Sequence, residues 1–161
     1  MSYTDATNFR HAVSRFTTGV TVVTSRDQHD QIVGMTANSF MSVSLAPPTI
    51  LVSVMQGKTL NAIKHCNRFA VNVLPALAQD ISDYFAGHQI QGPTPGFEAC
   101  PGMPKLKSSI AYFNCEVERF IEIADHTLLA AKVLDCSYID KEPLVFFSSQ
   151  YRNLDMEEAC I

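Results

Sequence analysis

Short runs of β-branched or alternating residues, each closed by turn formers, recur through most of this chain and constrain its fold more than any other feature. Val20-Thr21-Val22-Val23-Thr24 is followed by a polar stretch from Ser25 to Gln31 before Ile32-Val33 resumes the apolar pattern, which predicts a hairpin. Ser39 to Ser44 and Thr49 to Val54 read as two more strands, parted by Pro47-Pro48, which cannot sit in the middle of a sheet. Phe69 to Leu74 is another. Ala111, Phe113, Cys115 and Val117 alternate with Tyr112, Asn114, Glu116 and Glu118, the pattern of a half-buried antiparallel strand, and Thr127 to Tyr138 and Leu144 to Ser148 supply the last ones.

Helical spacing is confined to short segments. Phe9, Ala12, Val13 and Phe16 predict an amphipathic helix over Thr4 to Phe16, capped by Thr4 or Asp5 and ended by Gly19. Two inserts follow, one around Leu60, Ile63 and His65, the other around Leu77, Ile81, Tyr84 and Phe85, with Phe85 read as core. Gly87 to Pro104 holds four glycines and four prolines and reads as a long loop, of the kind that serves as a lid. About six to eight short strands with a few helices argue for a barrel with helical caps over residues 1–161 as a single domain, because the seven glycines contain neither a Rossmann nor a phosphate-loop motif.

Composition narrows the function classes. At 161 residues the chain is one domain, and 47% hydrophobic with 17% charged residues is the balance of a soluble globular protein. A net charge of -4 gives no basic excess for nucleic acid. No apolar run approaches the roughly 18 residues of a membrane span, and Met1 to Asp5 lacks the start of a signal peptide, so no membrane partner and a cytoplasmic location are expected. The scattered Cys66, Cys100, Cys115, Cys136 and Cys160 read as buried or incidental thiols, and the five histidines form no ligand grouping, so no metal is expected.

The richest segment for binding is Gly34-Met35-Thr36-Ala37-Asn38-Ser39-Phe40, then Ser42-Val43-Ser44 and Pro47-Pro48. Small and hydroxyl residues at a strand exit let backbone amides approach the edge of a flat aromatic ligand; the same residues can also serve only local side-chain to backbone bonds. Together with Gly19 to Thr24, Phe69 to Leu74 and Pro143-Leu144-Val145-Phe146, these blocks resemble the flavin reductase family with the FMN-binding split barrel, which includes reductase components of two-component flavin monooxygenases. The likeness runs from Phe9 to Tyr151.

That resemblance implies a six-stranded antiparallel split barrel, a homodimer, and a flavin, FMN or FAD, near the dimer interface, reduced by NADH or NADPH and possibly passed to a partner oxygenase. It places Thr36, Ala37, Asn38 and Ser39 along the flavin ring and ribityl chain. Ser53, Lys58 and Thr59 fall near the flavin phosphate, though Lys58 alone could equally be a solvated surface lysine. Ala124-Asp125-His126 resembles the Gly-Asp-His turn that contacts nicotinamide, with His126 expected to donate to the carboxamide; alanine in place of glycine puts a positive φ at 124 in doubt. Phe97 matches loosely an aromatic near the nicotinamide. Tyr151 and Arg152 match a position beside the flavin, and a frayed terminus is the other reading of them. His29 and His88 are read as solvent-facing. No general acid or base is needed, since placement of the two rings is the protein's main task. Two rivals share the fold type: a flavin-binding electron carrier without productive nicotinamide oxidation, which the altered turn would favour, and an oxidase of the pyridoxamine-phosphate kind.

Overall fold

A computed structural model describes residues 4–88 and 92–154; Met1 to Tyr3 and Cys160 lie outside them. The chain opens with α1 (Ala6–Val13), followed by β1 (Thr18–Gly19), β2 (Thr21–Arg26), β3 (Ile32–Ala37), β4 (Phe40–Leu45), β5 (Pro48–Met55), α2 (Lys58–Cys66) and β6 (Arg68–Val73). Then come α3 (Gln79–Phe85), β7 (Phe97–Glu98), β8 (Lys105–Leu106), β9 (Ala111–Ile123), β10 (His126–Tyr138), β11 (Val145–Phe147) and β12 (Gln150–Arg152). The protein is mainly β with three helices.

Seven strands form one antiparallel sheet in the order β3-β2-β6-β9-β10-β5-β4, one more than the six expected. Its edge strands β3 and β4 are consecutive in the chain and joined only by Asn38 and Ser39. One core cluster draws on the inward rows of the sheet, including Val23, Ala37, Val52, Val71, Val117 and Leu129, with Leu60 and Ile63 of α2. A second, outer core joins Val20, Val22 and Leu74 to Leu106 and Leu144, with Ile81, Phe85, Phe146 and Tyr151 packed against it. This second core explains why Thr21 to Ser25 of β2 do not alternate: α3 and the β11–β12 hairpin cover their outer side, and the strand is buried on both faces.

Several expectations shift. The first helix spans only Ala6 to Val13, capped by the Asp5 carboxylate, which accepts from the backbone N–H groups of Thr7 (3.2 Å) and Asn8 (3.1 Å). No residue of it is buried, because its apolar stripe meets no partner surface in this chain; Phe9 and Val13 are exposed, and Gly19 lies in β1 instead of ending the helix. Leu77 is 91% exposed, ahead of α3 and off its packed side. The stretch Gly87 to Pro104 is not all loop: Phe97–Glu98 pairs with Lys105–Leu106. Buried Asn72 anchors that return, its Oδ1 accepting from the Leu106 N–H at 2.8 Å, while Thr24 donates to the Pro104 carbonyl at 2.6 Å. Tyr151 and Arg152 are not frayed but form β12, paired with β11 across Ser148-Ser149, both at positive φ as a two-residue hairpin turn demands. Among the described residues, no helix is long and apolar enough to cross a membrane.

Candidate functional site

Residues directly opposite in a sheet point to the same face, so the register sorts the candidate residues. Across β5 and β10, Val54 and Thr127, Val52 and Leu129, and Ile50 and Ala131 are opposed and buried; these face the core. Met55 and His126, Ser53 and Leu128, and Leu51 and Ala130 therefore face outward. The same outer rows continue to Ile123 and Ile121 of β9 and to Met41 of β4. Met41, Met55, Ile121 and Ile123 are 44–52% exposed, a sheet face that no element among the described residues covers.

Ser39 is tied to this face. Its hydroxyl donates to the Ser53 carbonyl (2.9 Å) and accepts from the Ser53 N–H (3.1 Å), so the link between the edge strands is pinned over β5. Ser53 follows the period-2 alternation of β5, and three residues beyond Met55 the chain reaches Lys58 at the start of α2. The N-cap of this helix is Gly57, which offers no side-chain acceptor, so first-turn N–H groups stay available beside the Lys58 ammonium. Lys58 has no ion-pair partner among the described residues. Thr59 is only 6% exposed yet lines the same cleft as Lys58. A cation, a hydroxyl and open helix N–H groups fit a phosphate ester.

The turn at 124 resolves a doubt from the sequence. Ala124 adopts φ 53°, the left-handed conformation that glycine takes without strain, and His126 pairs with Ile123 across the two-residue turn. The Gln56 N–H donates to the Asp125 carbonyl at 3.1 Å, docking this turn against the segment that leads to Lys58. His126 Nδ1 lies 2.8 Å from Asp125 Oδ1, and this hydrogen bond holds the Asp125 carboxyl below the usual carboxylate range. A carboxylate only accepts, so Nδ1 carries the proton. Neutral His126 therefore presents Nε2 as an acceptor, and the expected donation to a carboxamide is corrected to acceptance from its amide N–H.

The remaining candidates separate into two clefts. Thr36, Ala37, Asn38 and Tyr151 line one of about 380 Å³ against α3. There Thr36 donates to the Ser82 carbonyl (2.6 Å), and Tyr151 donates to Asp83 (3.1 Å) while sitting 2.8 Å from the Ser82 hydroxyl. Burial raises the Tyr151 phenol above its ordinary range. Lys58, Thr59 and Phe97 line another of about 690 Å³. Arg152 stands apart, exposed and bonded to Gln150 at 2.6 Å. Reading the sequence missed Ser82, Asp83, Arg26, Asp30 and Tyr84. It also took His88 for a plain loop residue, whereas His88 lines the smaller cleft, 3.4 Å from Asp83. It took Phe85 for core alone, whereas that ring also lines the larger cleft. Only the docking of α3 brings these groups beside β3, and no local pattern signals it.

Residues 13–155 match the family model described as flavin reductase like domain. The chain is 37% identical over 151 residues to an NADH-dependent flavin reductase, StyB, of Pseudomonas fluorescens, covering 91% of this chain and 89% of that protein. It superposes with TM-score 0.86 on the styrene monooxygenase flavin reductase of Pseudomonas putida, 37% identical, covering 91% of this chain and 97% of that one. With TM-score 0.84 and 30% identity it also matches the NADH:FAD oxidoreductase SgcE6 of Streptomyces globisporus in complex with NAD and FAD fragments, covering 98% and 99% of the two chains. A strand-rich sheet without a Rossmann loop, an uncapped helix start beside an unpaired lysine, a docked Asp-His turn and these likenesses converge on one conclusion: the chain belongs to the flavin reductase like domain family.

Proposed function

We propose that this protein is an NAD(P)H:flavin oxidoreductase that passes a hydride from NADH or NADPH to FMN or FAD. In this reading it works in the cytoplasm as a homodimer and supplies a partner oxygenase. The observation that carries the reading is the bare outer face on which Ser39, Ser53 and His126 share exposed strand rows and which runs into Lys58. The relatives named as NADH-dependent flavin reductase and as styrene monooxygenase flavin reductase support the activity and the oxygenase partner. The neighbour holding NAD and FAD fragments supports the ligands.

The flavin, when bound, supplies the ring that takes hydride directly from reduced nicotinamide. Lys58 and Thr59 bind its phosphate; Ser39, Ser53 and the Thr36–Asn38 backbone orient the ring and ribityl chain. His126, held by Asp125, orients the carboxamide through Nε2, and Phe97 limits the nicotinamide's freedom. Tyr151 and Arg152 lie beside the flavin, Arg152 favouring its anionic reduced form. None of these groups needs to act as acid or base; ordering the two rings at close range lowers the barrel's share of the barrier. The exposed Met41, Met55, Ile121 and Ile123 fit a second copy that excludes water from the groove. A single core shared by inward rows of the sheet supports a six-stranded split barrel at its centre. The electron-carrier reading loses its ground, because Ala124 keeps the turn that glycine would make.

Purified protein mixed with NADH and excess FMN in air consumes NADH continuously under this reading. A single stoichiometric oxidation would overturn it. Lys58→Ala weakens FMN roughly 5- to 30-fold, as loss of a charged hydrogen bond of ~1–2 kcal/mol predicts, and leaves riboflavin unchanged; equal weakening of both removes Lys58 from the phosphate.

A further inference from the structure

The 690 Å³ cleft is larger than a phosphate anchor requires, and most of its lining has no part in the groove described above. One wall is aromatic. Phe85 meets Tyr84 edge-on at 5.0 Å and Phe97 at 6.5 Å between centroids. Gly34 makes room for this wall: a Cβ there would lie 2.9 Å from the Phe85 ring, so glycine lets the ring close against β3. The opposite rim is charged. Arg26 pairs with Asp30 at 3.4 Å and is bonded to the Asp30 carbonyl at 3.1 Å, with the Asp30 carboxylate largely open to solvent. Lys58 completes the lining, giving two cations against one carboxylate.

We propose that this cleft is an adenylate site, taking the adenosine-phosphate end of a dinucleotide whose phosphate reaches Lys58. The aromatic wall suits a purine face, the cations suit phosphate, and Asp30 can accept from ribose hydroxyls or the purine amino group. FAD and NADH both carry this group. The inference takes the dinucleotide from the proposed reductase activity, but the cleft can be probed without it.

Titration of the full chain with AMP in a calorimeter tests the site. AMP binds the unaltered protein, and Tyr84→Ala weakens it about fivefold or more, as loss of base stacking predicts, whereas Tyr84→Phe retains it. Failure of AMP to bind at millimolar concentration, or equal binding by Tyr84→Ala with an unchanged circular dichroism spectrum, overturns the proposal. Kinetics then identify the source. A Tyr84→Ala loss confined to FAD, with riboflavin reduced normally, assigns the cleft to FAD; a raised KM for NADH with every flavin assigns it to NADH. AMP binding in a protein that never oxidises NADH would uphold the cleft and overturn the reductase reading instead.

Discussion

The two outer sides of the sheet are treated in opposite ways. Over β2 and β6 the chain folds back on itself: α3, β8 and the β11–β12 hairpin bury Val20, Val22 and Leu74 to 2% exposure or less. Over β4, β5, β10 and the end of β9 nothing among the described residues returns, and Met55 and Ile123 stay about half exposed. The candidate residues follow this division, with Thr36 and Tyr151 under α3 and Ser39, Ser53 and His126 on the bare side. An apolar face covered by its own chain serves stability, while one left open serves a partner or ligand.

Truncation on the two sides is the strongest way to break this contrast. Leu74→Ala, in the covered outer core, should cost roughly 2–5 kcal/mol in urea unfolding, while Ile123→Ala on the bare side should change the unfolding of the isolated chain by about 0.5 kcal/mol or less. Equal losses would mean that the bare side is as tightly packed as the covered one. Next in size, Ile121→Glu should weaken self-association tenfold or more, about 1.4 kcal/mol, read as a fall in sedimentation mass toward the 17.8 kDa monomer. A mass that does not respond would move any dimer contact elsewhere.

Smaller effects sharpen the picture beneath the bare side. The Thr127 hydroxyl is fully buried and has no hydrogen-bond partner among the described residues. Thr127→Val should therefore raise stability by about 1 kcal/mol, seen as a higher urea midpoint at unchanged slope. A loss would imply that the hydroxyl is bonded in solution. Smallest is Ala124→Gly, which relieves the left-handed strain at 124 and should add roughly 0.5–1 kcal/mol to stability by the same measurement. No gain there would show that the turn stores no strain.

Much of the fold was legible because alternation and turn chemistry are local. The β2–β3 hairpin, the Pro48 boundary and the long β9–β10 pair all follow from side-chain period and punctuation within about a dozen residues. Less could be read where an element's role depends on a surface distant in sequence. The apolar stripe of α1 is plain in the sequence, yet it meets nothing in this chain. The loop after α3 looked structureless because its anchors, Thr24 and Asn72, come long before it.

The site divides in the same way. Which residue types could bind a flavin was readable in Thr36 to Ser39, Lys58 and the Asp125-His126 turn, since hydroxyl, ammonium and imidazole chemistry belongs to the side chains themselves. Their grouping was decided by tertiary structure: strand register puts Ser53 and His126 on one face, and α3 docking adds Ser82, Asp83 and Tyr84 to the clefts. Even the role of His126 changed, because its proton position depends on the Asp125 carboxylate 2.8 Å away. Periodicity and side-chain chemistry are properties of short segments and survive in the linear chain. Which faces meet, and which nitrogen keeps a proton, are set by contacts that exist only after the chain has closed on itself.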